Sequence, residues 1–209
     1  RQMSDAVVRE YLQKAQPANR WALLVNPFTR LSGWTALLLG LLVVAATVLV
    51  AARGQIRYDG IMDVHLGRGP AAEPIVQWLV VALLYLLGGL VWAPKTQSYL
   101  DYFGMSAVGR LPFVLVGLIW ALPALRGPVA ALASVEPTQV MSHLMDSGVL
   151  PWIVGGAIIT TLVMLWGLFL NFFALREASG MPTGRAIGVY IGVIAVGEIA
   201  GKIMSVTVF

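Results

Sequence analysis

The chain has 209 residues, 58% of them apolar and 11% charged, with no cysteine and a formal net charge of +4. Soluble domains carry about 25% charged residues, so lipid is expected to solvate much of this surface. The missing cysteines exclude disulfides, thiol catalysis and Cys-ligated zinc or iron–sulfur sites. The basic residues form no cluster with interleaved aromatics, which argues against nucleic acid and for loops that fix membrane topology.

In chain order, residues 1–30 read as a cytoplasmic amphipathic and interfacial segment. Ser4 or Asp5 caps a short helix whose Val8, Tyr11, Leu12 and Ala15 share one face. No cleavable signal peptide is visible. Asn26-Pro27-Phe28 reads as a turn that leads into the membrane. Residues 31–209 then read as a five-span transmembrane domain. The spans fall at about 31–52, 74–93, 111–125, 149–175 and 185–208, because about 20 apolar residues at about 1.5 Å each cross the hydrocarbon. The expected fold is therefore all-α, a polytopic five-helix bundle preceded by a short amphipathic helix.

The loops sort by charge. Arg1, Arg9, Lys14, Arg20, Arg30, Lys95, Arg110, Arg176 and Arg185 fall on one side, and Arg53, Arg57, Arg68 and Arg126 on the other. The positive-inside rule places the N-terminus in the cytoplasm and, after five spans, the C-terminus outside.

Four constellations carry the functional expectations. The last span holds Glu198 and Lys202, one helical turn apart, inside an apolar run. A charge at membrane depth costs roughly 2.5–3.5 kcal/mol, so this pair is expected to face protein, with the other helices packed around it. Pairing lowers the cost of burial. The pair either fixes helix register or, with Asn171 and Gln77, lines a polar groove for a relay or a carried substrate. Second, Gly184, Gly188 and Gly192 form a small-residue ladder, and Gly197 with Gly201 a second one. Small residues four apart let helices approach, so this span can pack on two sides, one of them against another subunit. Gly88-Gly89 in the second span permits close contact in the same way.

The third constellation is the cytoplasmic loop that follows the second span. In it Asp101 can pair with Arg110, and Tyr99, Tyr102 and Phe103 suit the headgroup region. The fourth lies in the outer loops, where Asp59, Asp63 and His65 share a side with His143 and Asp146. Two imidazoles with carboxylates are reasonable ligands for zinc or another divalent metal, and a metal-bound water would allow a hydrolase. The spacing matches no standard metalloenzyme signature. No phosphate loop, nucleophile elbow or dinucleotide fingerprint is present.

The plan resembles the bacterial branch of the Yip1 family. The resemblance rests on the Asn26-Pro27-Phe28 turn, five short-looped spans and the run LNFFALREASGMPTGRA into a glycine-rich final helix. DYFGMSAVGRLPF at 101–113 adds to it. Asp101-Tyr102-Phe103-Gly104 only faintly echoes the Asp-Leu-Tyr-Gly-Pro motif of eukaryotic members. The likeness implies the fold and the topology, and it implies no catalytic residue. The expected function is a non-enzymatic membrane-organising or accessory subunit of the bacterial inner membrane, associated with lipid and with itself or a larger complex. The alternatives are a small carrier or lipid-handling protein and an outward-facing metalloprotein or hydrolase.

Overall fold

The computed structural model describes residues 24–53, 57–58, 64–65, 72–93, 98–132, 135–146 and 148–207. The expected amphipathic helix at Ser4 to Ala15 lies outside them. The described chain is helical, apart from a two-residue antiparallel pairing of β1 (Arg57–Tyr58) with β2 (Val64–His65) in the first loop. After a 3-10 turn at Pro27–Arg30 come α1 (Gly33–Ala52), α2 (Glu73–Trp92), α3 (Tyr99–Val108) and α4 (Leu111–Trp120). Then follow α5 (Pro123–Leu132), α6 (Val140–Asp146), α7 (Leu150–Ser179) and α8 (Thr183–Thr207). Among the described residues five segments are long and apolar enough to cross a membrane: α1, α2, α3 with α4, α7, and most of α8. This is an all-α, multi-pass membrane bundle.

The helix ends follow from local chemistry. Gly33 opens α1 at φ +53°, a conformation that costs glycine little. Its amide donates to the Asp101 carboxylate, which ties the start of α1 to the first turn of α3. Each carboxylate oxygen near a helix N-terminus also meets the positive end of the helix dipole. At the other end of the sequence Gly180, at φ +63°, closes α7 in the left-handed conformation, and its amide donates to the Arg176 carbonyl. Three residues later, at Thr183, α8 begins.

The third span differs from the sequence expectation. It runs from Tyr99 to Trp120, so Tyr99 to Arg110, read as a cytoplasmic loop, is helix. Asp101 and Arg110 lie nine residues apart along this span, about 13 Å, and do not pair across a loop. Pro112 supplies the break between α3 and α4. It has no amide to give the Val108 carbonyl, and its ring crowds that position. The chain answers with shorter-range bonds, Arg110 N–H to the Ala107 carbonyl at 3.1 Å and Phe113 N–H to the Arg110 carbonyl at 3.0 Å.

The third span is also the centre of the bundle. Over its best membrane-length window 61% of residues are buried, against 17% for α7 and for α8. The sequence reading put α8 in that place. Small residues decide the outcome. A Cβ on Gly104 would stand 2.4 Å from the backbone of Ala36 and Leu37, and one on Gly40 would stand 2.6 Å from the Gly104 carbonyl. α1 and α3 therefore touch backbone to backbone, which only glycine allows. The main core gathers Val81, Tyr85, Tyr102, Met105, Leu170, Ala174 and Tyr190 from α2, α3, α7 and α8. A smaller cluster of Val50, Ala51, Phe113 and Val116 joins α1 to α4.

Candidate functional site

Two places concentrate chemistry. The first is buried, at the break in the third span. With Phe113 turned to Arg110, the Gly109 carbonyl loses its helical partner. Asn171 of α7 replaces it, donating from Nδ2 at 3.0 Å, and also donates to its own Gly167 carbonyl at 2.9 Å. Tyr85 of α2 donates its hydroxyl to the Asn171 backbone carbonyl at 2.8 Å. The approach is close because position 109 has no side chain: a Cβ there would stand 2.7 Å from Asn171 Oδ1. Beside this junction Arg110 is 2% exposed, with its guanidinium 5.4 Å from the Phe113 ring centroid. Glu73 and Gln77 are buried as well, and all three take part in polar or charged interactions. Trp78 donates its indole N–H to the Phe103 carbonyl at 3.1 Å and reaches Ser106 Oγ at 3.3 Å. An unmet backbone carbonyl in a lipid-solvated bundle costs several kcal/mol, so these bonds hold a broken helix at membrane depth.

The second place is an open groove on the surface between α2 and α8, about 630 Å³ in volume. Its floor and walls are apolar: Leu84, Leu87, Gly88 and Val91 from α2, and Gly184, Gly188, Val189, Gly192, Val193 and Val196 from α8. Gly88 sets how closely the helices meet, since a Cβ there would stand 2.6 Å from Val189 Cγ1. At one end sit Trp92 and Arg185. Arg185 is exposed and donates from Nη1 to the Trp92 carbonyl at 3.1 Å, capping the C-terminal end of α2.

The two glycine ladders of α8 part ways. Gly197 and Gly201 are buried on the inward face with Ala186, Tyr190 and Val193. Gly184, Gly188 and Gly192 are exposed, and a Cβ at any of them would meet no atom within 4 Å. They line the groove, and no described residue occupies the space beside them. Glu198 is half-buried at the edge of the inward face and Lys202 is exposed, and each is engaged in an interaction. At about 28 Å from Thr183, Lys202 reaches the far interface, where an ammonium can snorkel. The expectation that this pair turns wholly towards protein is met only by the partial cover of Glu198.

Asn171 and Gln77, expected in a polar groove with that pair, are each 4% exposed and sit inside the bundle. The groove that opens on the α2–α8 surface is lined by neither of them, nor by Glu198 or Lys202. Tyr102, expected in a headgroup loop, is 3% exposed and packs its hydroxyl end over Gly89.

No family model, no curated protein and no solved structure matches the chain. The site is therefore read from its own residues.

Among the outer-loop metal candidates, Asp59 and Asp63 lie outside the described residues. His65 closes β2, His143 lies within α6, and Asp146 ends α6 with an exposed side chain. Among the described residues no group of three His, Asp or Glu stands close enough to hold a metal ion.

Sequence reasoning missed three things. Arg110 was counted with the cytoplasmic loop because an arginine usually ends a span, yet Pro112 two residues on was a signal for a break inside one. Glu73 falls just outside the span expected at 74–93, yet it opens α2 and is buried. Tyr85 carried no signal, because a lone tyrosine in an apolar span reads as core.

At the membrane edge a further clasp holds the N-terminal segment. Asn26 accepts from the Phe28 amide at 3.2 Å and donates from Nδ2 to the Glu177 carboxylate at 3.0 Å. Phe28 is 1% exposed, and the Trp166 indole donates to the Leu24 carbonyl at 2.9 Å.

Proposed function

We propose that the chain is a non-enzymatic membrane-organising or accessory protein of the bacterial inner membrane, of Yip1-like build, acting through lateral contacts at its α2–α8 face. One observation carries this reading: the ladder Gly184, Gly188 and Gly192 is exposed in an open apolar groove, whereas Gly40, Gly88, Gly89 and Gly104 are consumed in tight internal contacts. A helix surface kept free of side chains, in a bundle that packs its helices through glycines elsewhere, suits an external occupant at membrane depth. Asn171 and Tyr85 bond backbone carbonyls at a helix break, which suits a scaffold.

A cytoplasmic N-terminus follows from the same charge rule as before. With Arg110 inside the bundle, Arg1, Arg9, Lys14, Arg20, Arg30, Lys95, Arg176 and Arg185 still outweigh Arg53, Arg57, Arg68 and Arg126 on the other side. The groove mouth at Arg185 then opens to the cytoplasmic leaflet.

Because the chain has no cysteine, single cysteines can be placed without background. A photoreactive label on Val91→Cys, in the groove, and one on Leu42→Cys, 68% exposed on α1, compare two lipid-exposed positions. In native membranes the groove label is expected to give a defined adduct, whose mass identifies a lipid, a second copy or another membrane protein. The α1 label is expected to give only a diffuse background. Equal labelling from both positions overturns the reading.

A further inference from the structure

The occupant of the groove follows from its length, its lining and the exposed Arg185 at its mouth. Along α8 the groove runs from Gly184 to Val196, twelve residues and so about 18 Å. Half of a hydrocarbon core of about 30 Å is about 15 Å. The groove is therefore about one leaflet deep, whereas a helix docking across the bilayer would follow the whole of α8. Its volume of about 630 Å³ lies within the range of about 300–1,000 Å³ of small-ligand sites. Its walls offer aliphatic side chains and bare glycine backbone, a match for methylene groups and for nothing that needs hydrogen bonds.

The mouth has the opposite character. Arg185 is exposed and has given one donor to the Trp92 carbonyl. Five N–H donors in a planar fork leave several for an anion. Arg185 also stands in the first turn of α8, whose positive dipole end faces the negative C-terminal end of α2 at Trp92. Trp92 beside it marks the headgroup level, where indole rings collect. A positive fork at headgroup depth above an apolar channel one leaflet long is complementary to a single class of molecule.

We propose that the α2–α8 groove holds a phospholipid with an anionic headgroup, its phosphate on Arg185 and one acyl chain along Gly184, Gly188 and Gly192. The proposal rests on the reading of this face as the functional surface and names what occupies it. The glycines then have a positive use: a side chain at 188 or 192 would fill the space the chain needs. The bond to Trp92 orients Arg185, so that the guanidinium is held over the channel before lipid arrives.

The test uses the full chain reconstituted in nanodiscs of equimolar phosphatidylglycerol and phosphatidylcholine, extracted in mild detergent and weighed intact by native mass spectrometry. Both lipids present a phosphate to Arg185, but choline cancels its charge, so the wild type is expected to retain phosphatidylglycerol over phosphatidylcholine by about tenfold, the weight of one net charge beside the guanidinium. Arg185→Gln is expected to bring that ratio close to unity, and Arg185→Lys to keep most of it. Gly188→Leu is expected to lower both retained lipids together. Circular dichroism on each variant identifies any that fails to fold, and the Lys variant separates loss of charge from loss of structure. Equal retention of the two lipids by the wild type overturns the proposal. So does a disulfide-linked dimer from Gly188→Cys with no retained lipid, which assigns the face to a second copy and leaves the reading of the surface intact. If neither lipid nor a second copy is found and Gly188→Leu changes nothing, both the proposal and that reading fail.

Discussion

At the residue scale, Asn171 holds the break in the third span. It lies eight residues, about 12 Å, from the end of α7 and is buried in the bundle. Hydrogen bonds between membrane helices contribute on average about 0.6 kcal/mol, because the unfolded chain in lipid also finds partners. Tyr85→Phe removes one such bond and is expected to cost about that much. Asn171→Leu costs more, because it strands the Gly109 carbonyl, for which no helical amide remains, and about 1–3 kcal/mol is expected. Unfolding of the two variants in mixed micelles with increasing dodecyl sulfate measures the difference. If both variants unfold together, the break is held by something other than Asn171.

The sequence displayed Asn171 as a polar residue inside a span but gave no sign of what it bonds. That follows from a partner that is a backbone carbonyl, which no side-chain pattern reveals. Arg110 was misplaced for a related reason. Its guanidinium faces the Phe113 ring inside the same span, and one-dimensional charge counting sees only the cost of burial.

At the element scale, the glycines divide into two physical classes, and substitution separates them. Gly104→Ala drives a methyl against the Ala36–Leu37 backbone, which cannot swing aside, so α1 and α3 must part. Overpacking of this kind costs typically about 1–3 kcal/mol. Gly188→Ala meets nothing and gains helix propensity of about 0.5–1 kcal/mol, so equal or slightly raised stability is expected. Thermal unfolding in detergent checks both signs. Periodicity alone offers both ladders, the one at 184, 188 and 192 and the one at 197 and 201, as packing faces. It could not say that the packing surface would be Gly197 and Gly201 instead, because both stripes are small and only the neighbouring helices choose between them.

The clasp between Asn26 and Glu177 belongs to this scale too. It fastens the segment before α1 to the end of α7, beside the turn into α8. Asn26→Ala removes both of its bonds and is expected to leave the bundle folded while exposing the peptide bonds near Leu24 to protease. A cleavage pattern unchanged from the wild type would mean that Phe28, buried at 1% exposure, anchors the segment without the clasp.

At the scale of the whole molecule, the number of helical spans and their all-α character follow from apolar run lengths, and the sequence showed them. The order of burial did not follow. Hydropathy ranks segments by affinity for lipid, and the third span, the least apolar of the first four, became the hub because its polar and small residues needed protein around them. α7 and α8 were left at the rim, with most of their membrane-length surface uncovered. That arrangement leaves the groove open and the glycine ladder in contact with whatever the bilayer supplies.

The central claim is that this ladder serves an occupant and not the bundle. Gly188→Leu tests it most directly, with the unfolding midpoint and the bound-lipid content measured on the same preparation. The account predicts a midpoint close to the wild type and a clear loss of retained lipid. A variant as unstable as Gly104→Leu, or one that keeps its full complement of lipid, contradicts it.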